Sequence, residues 1–320
     1  MSISETALTI ENLPAPPLEK SGWPWTEVNQ HLPKQLSDDS EWPKISVVTP
    51  SYNQAQFIEE TIRSVLLQNY PNLEYIIIDG SSTDKSVEII RKYEKYITCW
   101  VSEKDRGQSH AINKGFAKSS GDILCWINSD DLLKPGALKF VARSFPDISI
   151  PSWLIGSSEI IDSTGKSIKL RTPENVALER ALMWNENWFA QQSTFWTRPM
   201  WNAVSKIDES LHYAMDFALW LKMFEVAKPL LTTELLSYYR YQENAKCLTQ
   251  PAKALEEVKA ILWQYFKVAS INPKVRLSLL QVIVKLTTTQ KLNLLRETTL
   301  VKRVKKVYKE FVGHDNKLDS

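Results

Sequence analysis

Hydrophobic positions along this chain switch between two spacings, and the alternation predicts most of its elements. Ile45-Ser46-Val47-Val48-Thr49 is a short apolar run that reads as a strand, and Pro50-Ser51-Tyr52-Asn53 after it reads as a turn. Phe57, Ile58, Thr61, Ile62, Val65 and Leu66 then recur at helical spacing, which predicts one amphipathic helix. Leu73 to Ile78 is a second buried strand ending in Asp79-Gly80-Ser81-Ser82-Thr83-Asp84, and a helix follows through Val87, Ile89 and Ile90. Ile97 to Val101 predicts a third strand, Ser109 to Ala117 a helix, and Ile123 to Asn128 a fourth strand that delivers Asp130 and Asp131 to its carboxyl end. Strands alternating with helices at this spacing imply right-handed crossovers and a mainly parallel sheet, so the fold class is α/β. In such sheets ligands bind at the carboxyl ends of the strands, where the strand-to-helix turns open into a crevice.

Beyond Pro135 the pattern loosens. Leu154 to Ile161 and Lys166 to Arg171 flank Asp162-Ser163-Thr164-Gly165 as a hairpin would. A short helix is expected near Val176 to Met183, a strand over Ser193 to Thr197, and a helix over Phe217 to Val226 with Asp216 at its start. From Pro251 onward the spacing is helical: Leu255, Val258, Leu262, Tyr265 and Ala269 share one face, and Val275 to Leu286 is nearly apolar all round. A last helix carries Val301, Val304, Tyr308 and Phe311 on one side. Residues 1–43 hold Pro14, Pro16, Pro17, Pro24, Pro33 and Pro43 with little periodicity, so they read as an extended, partly disordered arm, with Trp23-Pro24-Trp25 the part able to dock. The expected organisation is that arm, an α/β domain over 44–250, and a C-terminal helical extension over 251–320.

Composition removes several classes. A formal charge of +2 over 320 residues gives no general argument for nucleic acid as a partner. Lys302 to Lys309 holds five basic residues and no acidic one, which fits either a solvated basic face or a peripheral contact with anionic lipid. No apolar run reaches the roughly 20 residues of a membrane-spanning helix. Cys99, Cys125 and Cys247 are far apart with no C-x-x-C pair, and no secretory signal opens the sequence, so reduced thiols and a cytoplasmic location are expected. His31, His110, His212 and His314 lack metal-ligand spacing. Twelve tryptophans suggest dense core packing, with an indole face stacked on a sugar as the other use.

The loops contain carboxylates where nucleotide-binding folds often carry glycines. There is no G-x-G-x-x-G after the first strand and no G-x-x-x-x-G-K-[ST]. Asp79, Asp105, Asp130 and Asp131 are all expected at strand-end loops of one sheet edge, where they would repel one another unless a cation or polyol donors filled the crevice. One of the adjacent pair could instead cap the helix that begins near Pro135, but that use does not readily absorb both. A nucleoside diphosphate chelated by Mg2+ or Mn2+ meets the requirement, because hard oxygen ligands suit both metals. Asp79 is then a candidate for a base N–H or a ribose hydroxyl, and Asp131 for the metal.

Val48-Thr49-Pro50-Ser51-Tyr52-Asn53, Ile78-Asp79-Gly80-Ser81-Ser82-Thr83-Asp84, Asp105-Arg106-Gly107 with Ala111-Ile112-Asn113-Lys114-Gly115, Asn128-Ser129-Asp130-Asp131 and Met215-Asp216-Phe217-Ala218-Leu219-Trp220 together resemble family 2 glycosyltransferases of the GT-A fold. The order and spacing agree over about residues 44–245; the arm and the last helices lie outside the likeness. The resemblance implies transfer of a sugar with inversion from a nucleotide donor, commonly a UDP-sugar, to a saccharide or lipid-linked saccharide acceptor. Residue by residue, it implies that Thr49, Pro50 and Tyr52 form the donor-nucleotide wall and that Asp79 contacts uracil. Arg106 and Asn113 would line the donor site, Asp130 would face the ribose or donor sugar, Asp131 would bind Mn2+ or Mg2+, and Asp216 would be the catalytic base. Single displacement does need a carboxylate opposite the leaving group to take the acceptor proton; the other use of Asp216 is as a helix N-cap.

Gln191 and Gln192 border the acceptor site in similar sequences. Near Tyr239-Arg240-Tyr241-Gln242 many relatives have a histidine where this chain has Gln242, and Arg240 and Lys246 are candidates to supply positive charge to the donor phosphates instead. His110 and His212 read as local hydrogen-bonding residues. A sugar nucleotidyltransferase would want a Gly-rich basic loop after the first strand, and a glycoside hydrolase would need neither nucleotide crevice nor metal aspartate. A nucleotide-sugar-binding protein without turnover is the remaining alternative.

Overall fold

At the centre of the computed structural model, β1 (Ile45–Ser51) lies between two parallel neighbours, β2 (Leu73–Asp79) and β4 (Ile123–Trp126), with β3 (Cys99–Ser102) beyond β2. The structure describes residues 8–29, 32–36, 39–182, 190–242, 249–268 and 273–293. Every residue of β1 is buried because both faces of the sheet are covered. The period-two alternation of a strand sorts its apolar residues into two cores. Val47, Tyr75, Ile77 and Cys125 face one core, which they share with α1 (Ile58–Leu66), α2 (Ser86–Lys92) and α4 (Ala137–Ala142). Val48, Ile76, Ile78, Leu124 and Trp126 face the other, with α3 (Gln108–Lys118), α6 (Arg198–Val204) and α7 (Met215–Val226). Gly115 lets α3 approach β1 closely: a Cβ there would stand 2.3 Å from Val48 Cγ1.

The sheet continues through antiparallel β8 (Thr194–Thr197), then β6 (Trp153–Ile161), β9 (Leu230–Arg240) and the two-residue β5 (Leu132–Leu133), while β7 (Ser167–Arg171) pairs with the end of β6. The family-like α/β fold expected from the sequence is thus present, parallel from β3 to β4 and mixed beyond. The β6–β7 hairpin forms as expected, its turn fixed by Asp162 Oδ1, which accepts from the Thr164 and Lys166 amides at 2.8 and 3.0 Å. Several strand ends differ from expectation, and β1 runs on through Pro50 and Ser51 of the expected turn. β3 starts at Cys99 because a 3-10 turn over Glu94–Tyr96 precedes it, and β4 stops at Trp126 because Asn128 turns to accept the Asp131 amide at 3.1 Å.

The tryptophans are largely core. Trp126 and Trp220 stack at 5.7 Å and 7°, Trp220 stacks on Trp153 at 6.0 Å, and Trp196 meets Trp126 edge-on at 5.5 Å. Trp184 and Trp188 lie outside the described residues.

Among its described residues the N-terminal arm has no helix or strand apart from a 3-10 turn at Ile10–Asn12, yet these residues are not the loose segment expected. Leu8, Leu13, Leu32 and Trp42 are buried in the first core, and Trp25 is buried as well. Arg63, wholly buried on α1, donates to the carbonyls of Pro14, Pro24 and Trp25 at 2.9–3.1 Å and lies over the Trp25 ring, so a buried cation is satisfied by the arm itself. Trp23 Nε1 donates to the Leu133 carbonyl at 2.9 Å. Residues 1–7 lie outside the description.

At the other end, α5 (Leu178–Leu182) and α7 pack against α8 (Pro251–Val268) and α9 (Pro273–Asn293). Ala181, Leu182, Phe217 and Leu221 meet Val258, Leu262, Leu279 and Ile283 in a third core. The segment expected to be apolar all round leaves Leu277 and Val284 exposed. The expected last helix with Lys302 to Lys309 lies outside the described residues, among which no helix is long and apolar enough to cross a membrane.

Candidate active site

Because β1, β2 and β4 are parallel and in register, their carboxyl ends open at one rim, with Ser51 opposite Asp79 and the Asn128–Asp131 loop leaving β4 beside them. The loops after β1 and β2 are stitched together. Asn53, at φ 52°, gives its amide to Ser82 Oγ at 2.8 Å and accepts the Thr83 amide at 2.8 Å, while the Gln54 and Ala55 amides reach Ser86 Oγ and Asp84 Oδ2 at 2.9 Å. Tyr52 is consequently pushed outward, 61% exposed, with its ring free at the rim. Pro50 is buried, and Thr49 points into the sheet, its hydroxyl 3.1 Å from the Tyr75 hydroxyl, so of the three expected wall residues only Tyr52 presents a side chain to solvent.

Asp79 reaches the expected rim but is wholly buried there. Its Oδ1 accepts from Ser82 Oγ at 2.5 Å, and its Oδ2 accepts from the Ser82 amide at 2.9 Å and Ser102 Oγ at 2.7 Å. Asp105 packs over Gly80, where a Cβ would come 2.7 Å from Asp105 Oδ2, and accepts the Gly107 amide at 2.8 Å.

Asp130 and Asp131 form the charged centre. Asp131 is buried; Oδ1 accepts the Arg240 amide at 2.9 Å and Oδ2 accepts from Asn128 Nδ2 at 3.1 Å. Burial, and then the charge of Asp130, push the Asp131 carboxyl well above the usual range, and burial raises Asp130 in turn. Two adjacent carboxylates held this way favour a cation between or beside them. Among the described residues no group of three or more acidic, His or Cys side chains could hold a metal alone. The pair fits a hard divalent ion that takes one or two carboxylates and completes its shell with substrate phosphates and water.

A polar stripe on α1 and the turn that follows it carries this loop. Thr61 Oγ1 donates to the Asp131 carbonyl at 2.8 Å, Ser64 Oγ accepts the Leu133 amide at 3.2 Å, and Gln68 Nε2 donates to the Lys134 carbonyl at 2.9 Å. Glu60, on the same stripe, pairs with the Arg240 guanidinium at 3.0 Å. Arg240 is 2% exposed; Nε donates to the Asp130 carbonyl at 2.9 Å and Nη1 reaches the Asp162 and Ser163 carbonyls at 3.3 and 3.4 Å. It therefore sits beneath the loop as a brace and does not present its charge to a phosphate, contrary to expectation. Lys246 lies outside the described residues. Gln242 Nε2 donates to Asp130 Oδ2, which occupies one oxygen of the pair.

The amide side chains form a chain across the crevice. Gln108 Nε2 donates to Asn128 Oδ1 at 2.8 Å, Asn128 Nδ2 also reaches Gln191 Oε1 at 3.4 Å, and Gln191 Nε2 donates to the Trp126 carbonyl at 2.8 Å. Gln192 is buried, with no hydrogen-bond partner for Nε2 among the described residues.

Asp216 stands in the first turn of α7, whose N-cap is Ala214, so it does not serve as the N-cap. Its Oδ1 accepts the Phe217 amide at 2.7 Å, and burial raises its carboxyl above the ordinary value near 3.8. The segment leading to it leans on α3. Asn113 exchanges hydrogen bonds with Ile207, its Nδ2 donating to the carbonyl at 2.9 Å and its Oδ1 accepting the amide at 3.0 Å, and Ser109 Oγ donates to the Leu211 carbonyl at 2.8 Å. Asn113 and Arg106 both bind Glu209 and hold its carboxyl below the usual range. Asn113, expected to line the donor site, is thus consumed in fixing the approach to Asp216, and Arg106 is tied across the same turn. His110 Nδ1 accepts the Arg106 amide at 3.2 Å, and His212 packs against Gly107, both local roles.

Three comparisons bear on this arrangement. The sequence model described as glycosyl transferase family 2 matches residues 46–184. An uncharacterized glycosyltransferase of Rickettsia typhi is 26% identical over 230 residues, 70% of this chain and 71% of that protein. TuaG of Bacillus subtilis, a glycosyltransferase assigned to teichuronic acid biosynthesis, is 33% identical over 144 residues, 44% of this chain and 57% of that one. The fold is similar to TarS 1-349 of S. aureus solved with UDP-GlcNAc, with a TM-score of 0.61 at 17% identity over 81% of this chain and 77% of that one.

Proposed function

Residues 46–184 make this chain a member of glycosyl transferase family 2, and on that premise we propose that it moves a sugar from a UDP-linked donor to a hydroxyl of a cell-surface saccharide, with inversion. The observation that carries the reading is the Asp130–Asp131 pair, two crowded carboxylates on the loop that leaves β4 at the rim where exposed Tyr52 follows β1. A further carboxylate raised by burial, Asp216 on α7, is the residue we assign as the base. The UDP-GlcNAc complex of the TarS neighbour supports the choice of donor class, and the teichuronic acid relative supports a surface polysaccharide as acceptor.

In this reading Asp131, with Asp130 beside it, would hold Mn2+ or Mg2+, and the ion supplies charge stabilisation for the departing diphosphate. Tyr52 offers its ring to the nucleotide base, and Asp79 keeps the loop beneath the base rigid through Ser82 and Ser102. Gln191 and Gln192 offer amides to sugar hydroxyls. Asp216 takes the acceptor proton; a carboxyl whose pKa is raised is a stronger base when ionised than a free aspartate. The basic stretch Lys302 to Lys309 would meet anionic lipid on the cytoplasmic face, where a lipid-linked acceptor could be presented.

The experiment is a screen of nucleotide-sugars for donor turnover with Mn2+ and Mg2+. Release of UDP from at least one donor, dependent on the metal, is expected; no turnover of any donor would overturn the reading. One observation favours a second reading, binding without turnover: Gln242 occupies Asp130 Oδ2. Metal-dependent UDP binding without turnover in that screen would select it.

A further inference from the structure

The carboxylate of Glu257, on α8, accepts three consecutive backbone amides just ahead of Asp216. Oε1 takes the His212 amide at 2.8 Å, and Oε2 takes those of Tyr213 at 2.7 Å and Ala214 at 3.0 Å. Ala214 is the N-cap of α7, and its carbonyl accepts the Ala218 amide at 3.0 Å, so the clamp grips the residue from which the helix starts. A helix start exposes unpaired N–H groups and the positive end of its dipole, and an anion there is held by both. We infer that Glu257 is a positioning residue for Asp216, so that the C-terminal helices complete the active site instead of merely flanking it. The inference rests on the assignment of Asp216 as the base.

The geometry argues for positioning because Asp216 has little else to fix it. Among the described residues, the hydrogen bond its carboxylate accepts comes from its own neighbour, Phe217. Its location therefore follows the backbone of 212–216. That backbone is held on one side by α3, through Ser109 and Leu211 and through Gly107 against His212, and on the other by Glu257. The core that brings α8 there runs through Phe217 and Leu221 on α7 and Val258 and Leu262 on α8, so the clamp and the packing reinforce each other. Among the described residues, no hydrogen bond or ion pair joins Tyr52, Asp130 or Asp131, the groups proposed to bind the donor and its metal, to α8. Loss of the clamp should consequently leave donor binding intact while moving the base; a misplacement of about 1 Å can cost on the order of a hundredfold in rate.

The test uses the full chain and Glu257→Gln, which keeps the shape but turns an NH2 group toward amides that need acceptors. Turnover is followed as nucleotide release from the donor that wild type uses best. UDP affinity is measured by calorimetry with Mn2+, and amide exchange is followed over residues 212–217. The expected result is a kcat at least tenfold lower, donor KM and UDP Kd within about twofold of wild type, and faster exchange confined to that segment. Glu257→Asp, which keeps the charge one methylene short, is expected to fall between the two, and it carries the test if the glutamine variant does not fold. A Glu257 variant that is folded, has a lower melting temperature and retains wild-type kcat would overturn the positioning role while leaving Asp216 in place. Full turnover by Asp216→Asn, or no donor turnover by wild type, would instead overturn the underlying assignment and this inference with it.

Discussion

The backbone amide of Arg240 donates to Asp131 Oδ1 over 2.9 Å while its guanidinium pairs with Glu60 at 3.0 Å, so the last strand of the sheet and the first helix meet beneath the proposed metal aspartate. The pair is almost wholly buried, and the consequences of breaking it are large. Glu60→Ala leaves a guanidinium without its counter-charge in a dry site, a change that costs about 3 kcal/mol or more. Urea unfolding should show a lower midpoint with an unchanged slope, and metal-dependent UDP affinity should weaken because the Asp130–Asp131 loop loses its brace. Unchanged stability would mean that the backbone carbonyls alone satisfy Arg240.

Asp216 links activity to pH and stability in opposite senses. Its carboxyl is raised above 3.8 by burial, so the folded protein keeps that proton to higher pH than the unfolded chain does. Folding therefore binds an extra proton in the window between the two values, and stability falls as pH rises through it. Asp216→Asn removes this loss and should raise the melting temperature above that window, with little effect at lower pH. The same change should reduce transfer by about 10²–10⁴, the range for a positioned general base, while UDP binding persists. In wild type the acidic limb of kcat should lie above the titration range of a free aspartate.

Gly115→Ala tests the packing of α3 on the sheet. The added Cβ would stand 2.3 Å from Val48 Cγ1, and overpacking of this kind costs about 1–3 kcal/mol. Alanine recovers about 1 kcal/mol of helix propensity, so a net loss, read by thermal or urea unfolding, is the expected outcome. A stabilised variant would place α3 farther from β1.

The sequence discloses the parallel half of the fold because its strands are buried on both faces and their apolar runs stand out: β1, β2 and β4 start where the pattern predicts, at Ile45, Leu73 and Ile123, while their ends shift by one or two residues. β9 is less visible, since Leu230–Arg240 is mostly part-exposed or exposed, with only Leu236, Ser237 and Arg240 buried and shifts of register against β6, and β5 is only two residues long. The acidic loops are legible as residue types at strand ends. What each side chain does there is less so: Thr49, Asn113 and Arg240 have the right chemistry for a donor site, yet each spends its hydrogen bonds holding other parts of the chain. The bracing of the Asp130–Asp131 loop did leave a trace, because Glu60, Thr61, Ser64 and Gln68 form a polar stripe at helical spacing on the buried face of α1 and the turn that follows it. Glu257 left none: a glutamate on a surface helix is ordinary until its three amide partners are seen.

The most direct measurement is a calorimetric titration of UDP into the full chain with and without Mn2+, repeated on Asp131→Ala. Binding is predicted only when the ion is present, and the variant should lose that dependence together with most of the affinity. Tight binding of UDP to the wild-type chain in chelator would contradict a diphosphate held at Asp130 and Asp131 through a metal.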